Sequence, residues 1–140
     1  ITSGTVTPPP PPPVQPSVTV QAESATMVGV TRQTTNGGYA GSGYADFGGA
    51  GSYVQLTVNR TAAGPTTLKL RYANGGTTDR PVSVAVNGTV VQSSVAMNGT
   101  GGWTNWQELT LTLDLLAGNN VIRLTSITSN GVNLDAVTVG

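Results

Sequence analysis

Residues 67–88 read TLKLRYANGGTTDRPVSVAVNG, and the pattern of this stretch decides the fold. Leu68, Leu70 and Tyr72 alternate with Lys69 and Arg71, and Val82, Val84 and Val86 alternate with Ser83 and Ala85. A period of two marks a strand with one buried face, so the stretch is two strands joined by a loop. Asn87-Gly88 then signals a tight type I′ hairpin into the next β-rich run. The loop between the strands carries an amide, two glycines, a carboxylate and a guanidinium. That is more chemistry than a connection needs.

The same period extends outward in both directions. Val54, Leu56 and Val58 alternate in YVQLTV, and Leu109, Leu111, Leu113 and Leu115 alternate in ELTLTLDLL. Ala117-Gly118-Asn119-Asn120 turns the chain into NVIRLTSI. No window carries a helical stripe, and 19 glycines with 9 prolines punctuate short runs throughout. Short alternating strands with turn signals between them predict an all-β protein, an antiparallel β-sandwich of jelly-roll type. At the start, six consecutive prolines, Pro8 to Pro13, have fixed φ and no backbone donors, which favours an extended spacer over a folded element. Residues 1–16 are therefore assigned to an interdomain linker and residues 17–140 to the sandwich.

Composition narrows the function. Six Lys and Arg balance six Asp and Glu, and charged residues make up only 9% of the 140, so no broad field draws nucleic acid or an anionic membrane. The chain has no Cys, which removes disulfides and thiol chemistry, and no His, which removes the Ser-His-Asp triad and the usual general base near neutral pH. No apolar run approaches a membrane span and no signal peptide is visible, so the chain reads as a piece of something longer.

Two carboxylates stand out. In NLDAVTV, alternation puts Asp135 on the side of Val137 and Val139, where a buried charge is costly unless a cation or several donors meet it. In VTVQAES, Gln21 and Glu23 share one face while Val18, Val20 and Ala22 take the other. If the terminal strands pair, Glu23 and Asp135 come together and need a counter-ion, for which calcium, an ion that takes hard oxygen ligands, is suited. The plainer reading keeps both carboxylates in solvent. The glycine-rich run NGGYAGSGYADFGG could fold around an ion.

Five blocks together carry a resemblance: QAES at 21–24, NGGYAGSGYADF at 36–47, RYANGGTTDRPVSVAVNG at 71–88, GGWTNWQELTLTLDLLAGNNVIRL at 101–124 and NGVNLDAVTV at 130–139. In order and spacing they resemble carbohydrate-binding module family 35, with family 6 as the near neighbour. The resemblance spans about the whole of Ser17 to Gly140. It implies a monomeric, secreted binding module joined to a polysaccharide-degrading enzyme. It also implies a structural calcium held by Glu23 and Asp135 with Gln21 nearby. Sugar-binding positions carried over from the family are Tyr44, Asn74, Arg80, Trp103 and Asn130. Trp106 matches a buried structural tryptophan, and Tyr39 matches an aromatic of undetermined role.

The chemistry of those residues suits a sugar. A pyranose has a C–H face for an aromatic plane, from Trp103 or Tyr44, and hydroxyls that need amides such as Asn74 and Asn130. Arg80 offers a fork that fits a carboxylate, which points to a terminal uronic acid such as glucuronic or unsaturated galacturonic acid. Each has a plainer alternative: Trp103 as a cap on the core, Arg80 paired with Asp79, Asn74 as a turn former. Rival functions are a module for neutral mannan or galactose glycans, a structural spacer, and a small glycosidase using two carboxylates. The last is disfavoured because Asp46 and Asp79 fall in loops and no acidic pair faces a cleft.

Overall fold

A strand needs one face buried, and two faces of this kind can only bury each other. The computed structural model describes residues 15–140, so the linker assignment for residues 1–14 lies outside the described residues. In chain order the strands are β1 (Val18–Gln21), β2 (Thr26–Val28), β3 (Val30–Gln33), β4 (Tyr44–Phe47), β5 (Tyr53–Arg60), β6 (Gly64–Ala73), β7 (Val82–Val86), β8 (Thr89–Val95), β9 (Gln107–Leu115), β10 (Gly118–Ser126) and β11 (Asn133–Val139). The only helical element among the described residues is a 3₁₀ turn, Ala22–Ser24. One sheet runs β3-β4-β11-β6-β9, with β1 also paired to β11, and the other runs β2-β5-β10-β7-β8. Every pairing is antiparallel.

The core is the alternating set read from the sequence. Val54, Leu56 and Val58 of β5, Leu68, Leu70 and Tyr72 of β6, and Val82, Val84 and Val86 of β7 are all buried. Of the β9 leucines, Leu113 and Leu115 are buried, while Leu109 and Leu111 are half-buried against the core. The two-residue turn between β7 and β8 has Asn87 at φ 51° and Gly88 at φ 84°, the positive-φ pair that a type I′ hairpin requires.

Asp135 departs from simple alternation. Leu134 pairs with Tyr72 but Ala136 pairs with Arg71, so a bulge falls at Asp135. Leu134, Val137 and Val139 still face the core, while the extra residue turns its carboxylate to the outer face beside Arg71. The predicted placement of Asp135 among the core valines is therefore corrected: one extra residue reverses the parity of everything before it. Along one edge of β11, Asn133–Leu134 pairs with β4 and Ala136–Val139 pairs with β1, so Asp135 sits where the partner changes. Glu23 is corrected as well, since the chain leaves β1 at Gln21 and Glu23 lies in the 3₁₀ turn.

Three loops are tied together at one end of the sandwich. Thr100 N–H donates to Asn74 O at 2.8 Å, Met97 N–H to the Asp79 carboxylate at 2.7 Å, and Arg80 Nη1 to Gly131 O at 2.9 Å. Gln15 is fastened at the other end, where its Oε1 accepts from Thr61 N at 2.8 Å and its Nε2 donates to Ala62 O at 3.1 Å. No described helix is long and apolar enough to cross a membrane.

Candidate functional site

The tied loops border a depression of about 340 Å³ lined by Gln33, Thr35, Asn36, Tyr44, Asp46, Arg80, Trp103 and Asn133. β3, β4 and β11 supply its floor, because Gln33 pairs with Tyr44 and Asn133 with Asp46 across that sheet. Trp103 is half-exposed and packs so closely on Gly75 that a Cβ there would stand 2.4 Å from its Cδ1. The Arg80 guanidinium carbon lies 4.9 Å from the centre of the same indole, within cation–π range. Arg80 Nη1 is held by Gly131 O, while its buried Nε has no partner. The expected alternative pairing of Arg80 with Asp79 is not formed, since the only ion pair among the described residues joins Arg71 and Asp135.

Of the five residues expected to touch sugar, three line this depression: Tyr44, Arg80 and Trp103. Tyr44 borders it but is only 2% exposed. Its ring is packed between Tyr39, 5.7 Å away, and Trp106, 5.3 Å away, and its hydroxyl accepts from Asn36 Nδ2 at 2.9 Å. Tyr44 therefore supports the floor and has no free face for stacking, which corrects the expectation. Tyr39 is thereby placed as packing against Tyr44. Asn74 is corrected too: it is fully buried, its Nδ2 donating to Thr78 O and Met97 O, both at 2.9 Å, and its Oδ1 accepting from Gly76 N at 3.0 Å. Its amide folds the loop, the plainer of the two readings. Asn130 is exposed and does not line the depression; its backbone O accepts from Thr128 Oγ1. Trp106, expected to be buried, is half-buried and donates from Nε1 to Gly37 O at 2.9 Å.

Sequence reasoning missed Gln33, Asn36, Asp46 and Asn133. The sequence places Asp46 in a loop, whereas it stands on β4, and alternation in YADF, with Ala45 and Phe47 buried, is the signal for that strand. Burial pushes the Asp46 carboxyl above its ordinary 3.8, and the Arg80 guanidinium pulls it partly back. No hydrogen bond engages that carboxylate among the described residues, so it remains an acceptor for a ligand.

A second constellation lies against the outer face of the β1/β11 sheet. The loop Ala40-Gly41-Ser42 covers both carboxylates: Ala40 N–H donates to Asp135 Oδ1 at 3.0 Å and Oδ2 at 3.1 Å, and Ser42 N–H donates to Glu23 Oε1 at 3.1 Å. Gly41, at φ +67°, leaves room for this approach, since a Cβ there would come within 2.6 Å of Glu23 Oε1 and 3.1 Å of Gln21 Oε1. Glu23 Oε2 and Gln21 Oε1 are buried with no partner. Three acidic, His or Cys side chains do not converge anywhere among the described residues, so this is a cradle of two carboxylates and an amide.

An all-β sandwich with a solvent-open, aromatic-bordered depression among its loops is the architecture of a binding module, and the residues of that depression suit a sugar. Residues 21–140 match the model for carbohydrate binding module (family 6). A family 35 carbohydrate-binding module from Clostridium thermocellum superposes with a TM-score of 0.86 at 40% identity, covering 89% of this chain and 97% of that one. A second family 35 module, solved in complex with a glucuronic acid-containing disaccharide, has a TM-score of 0.80 at 34% identity, covering 88% of this chain and 92% of that one. The exo-β-D-glucosaminidase of Amycolatopsis orientalis is 40% identical over 124 residues, which is 87% of this chain and 12% of the enzyme. The chain thus spans about an eighth of that relative. The chain belongs to carbohydrate-binding module family 35, and the model of the neighbouring family 6 matches it over the same residues.

Proposed function

We propose that the loop-end depression binds the terminal uronic acid of a polysaccharide and thereby holds an appended enzyme at its substrate. The observation that carries this reading is Arg80, whose guanidinium sits beside the Trp103 ring and lines the depression with it. A pyranose lying on Trp103 would bring a C6 carboxylate to that fork, and charge-assisted pairing to Arg is stronger than a neutral hydrogen bond. The glucuronic acid-containing disaccharide bound by the similar module supports the choice of ligand. Tethering raises the local concentration of sugar around a catalytic domain without new chemistry. The module's setting would be extracellular, on plant or microbial polysaccharide.

Calcium is proposed as a structural ion. Glu23 and Asp135 carboxylates and the Gln21 amide oxygen would hold it, and the buried, unpartnered Glu23 Oε2 and Gln21 Oε1 are the fit. Bound there, the ion would neutralise the two buried carboxylates and so tie the 3₁₀ turn and the bulge of β11 together.

One observation favours a second reading. The free Asp46 carboxylate inside the depression would repel a uronic acid placed beside it and suits hydroxyls, so neutral mannan or galactose glycans are the alternative ligands. Affinity electrophoresis on glucuronoxylan, mannan and galactan gels separates the two. Retardation on glucuronoxylan alone is expected, and retardation on mannan or galactan alone overturns the uronic acid reading.

A further inference from the structure

The cradle proposed for calcium already contains a cation. Leu70 and Tyr72 point into the core, so Arg71 between them lies on the outer face, where the bulge has turned Asp135. Arg71 Nη1 is 2.5 Å from Asp135 Oδ2 and donates also to Gly38 O at 3.0 Å, and the guanidinium carbon is 5.5 Å from the centre of Trp106. These three contacts fix the guanidinium on one side of a fully buried carboxylate. Gly38 belongs to the same loop whose Ala40 and Ser42 N–H groups cap Asp135 and Glu23.

We infer that Arg71 is the cradle's built-in counter-ion, which holds the loop over Asp135 without metal and lowers the site's affinity for calcium. The inference rests on the calcium reading above. Two carboxylates and one guanidinium sum to a single negative charge, and the two unpartnered oxygens belong to Gln21 and Glu23, the former lining the same pocket as Arg71 and Asp135. A divalent ion entering there leaves the cluster with a net positive charge, whereas without Arg71 it would bring the cluster to neutrality. Like charges a few ångströms apart in a partly dry site repel strongly enough to change affinity by an order of magnitude. Lys69 and Glu108 share this outer face, and as an exposed pair of opposite sign they largely offset each other.

The test is calcium titration by calorimetry on metal-stripped protein, with thermal unfolding run with and without calcium. Wild type is compared with Arg71→Gln, which can still hydrogen-bond to Asp135 and Gly38, with Arg71→Met, and with Arg71→Lys, which keeps the charge. The neutral variants should bind calcium about tenfold tighter or more at low ionic strength, with the gain shrinking in high salt. Their metal-free melting temperatures should fall and their calcium-induced rise should grow, and Arg71→Lys should stay within a few-fold of wild type. A neutral variant that folds only in calcium, or binds calcium where wild type binds none, is the same result in its strongest form. If wild type binds calcium and neither neutral variant binds it tighter, the role of Arg71 is overturned while the calcium site stands. If none of the four proteins binds calcium, both readings fall together.

Discussion

The Arg80 guanidinium carbon lies 4.9 Å from the centre of the Trp103 ring, and the same side chain reaches Gly131 O. One residue thereby joins the loop after β6 to those before β9 and β11. Trp103 is half-exposed and borders the depression, so it contributes little to the core and much to any sugar lying there. Trp103→Ala should weaken glycan binding at least tenfold while moving the melting temperature by only a few degrees, measured by calorimetry and thermal unfolding. A variant that binds as well as wild type would remove Trp103 from the site.

Asn74 predicts the opposite pattern. Its amide satisfies Thr78 O, Met97 O and Gly76 N inside a fully buried position. Asn74→Ala leaves those groups without partners, which costs about 2–3 kcal/mol and roughly 10 °C of melting temperature. Any loss of binding should follow from the disturbed loop. Full stability in this variant would contradict the structural role.

Much of this was legible from periodicity. The alternation in β5, β6 and β7 and the Asn87-Gly88 turn each predict the local structure found, because period-two burial and positive φ are properties of neighbouring residues. Asp135 was misplaced for the complementary reason: a bulge is decided by where β11 changes partner from β4 to β1, which no local pattern records. Asn74 and Tyr44 look like ligand residues by type and position, yet one amide and one ring are consumed by packing that depends on distant segments. Asp46 is hard to place from sequence because its short strand, Tyr44–Phe47, directly follows a glycine-rich run that has the composition of a loop.

Asp46 gives a pH signature. Burial raises its folded-state pKa above the ordinary 3.8, despite Arg80. A carboxylate with a raised folded pKa binds its proton more tightly in the native state, so its contribution to stability declines as pH rises from 3.8 through the raised value. Asp46→Asn should remove that decline, and its melting temperature relative to wild type should increase across the same window. Parallel pH profiles for the two proteins would show that the carboxyl is not perturbed.

Chelation tests the ion. An ion bound only by the folded state stabilises it by mass action, about 2.7 kcal/mol at a free concentration 100 times the Kd. Wild-type protein in calcium should melt at a higher temperature than in chelator, and Glu23→Gln should reduce the difference. Superimposable melting curves with and without calcium would contradict a structural metal at Gln21, Glu23 and Asp135.

The most direct test of the central claim is calorimetric titration of glucuronic acid and of glucose into the calcium-loaded module, repeated with Arg80→Ala. The account predicts that wild type binds the acid and not the neutral sugar, and that Arg80→Ala abolishes the preference. Equal affinity for the two sugars, or a preference that survives Arg80→Ala, would contradict it.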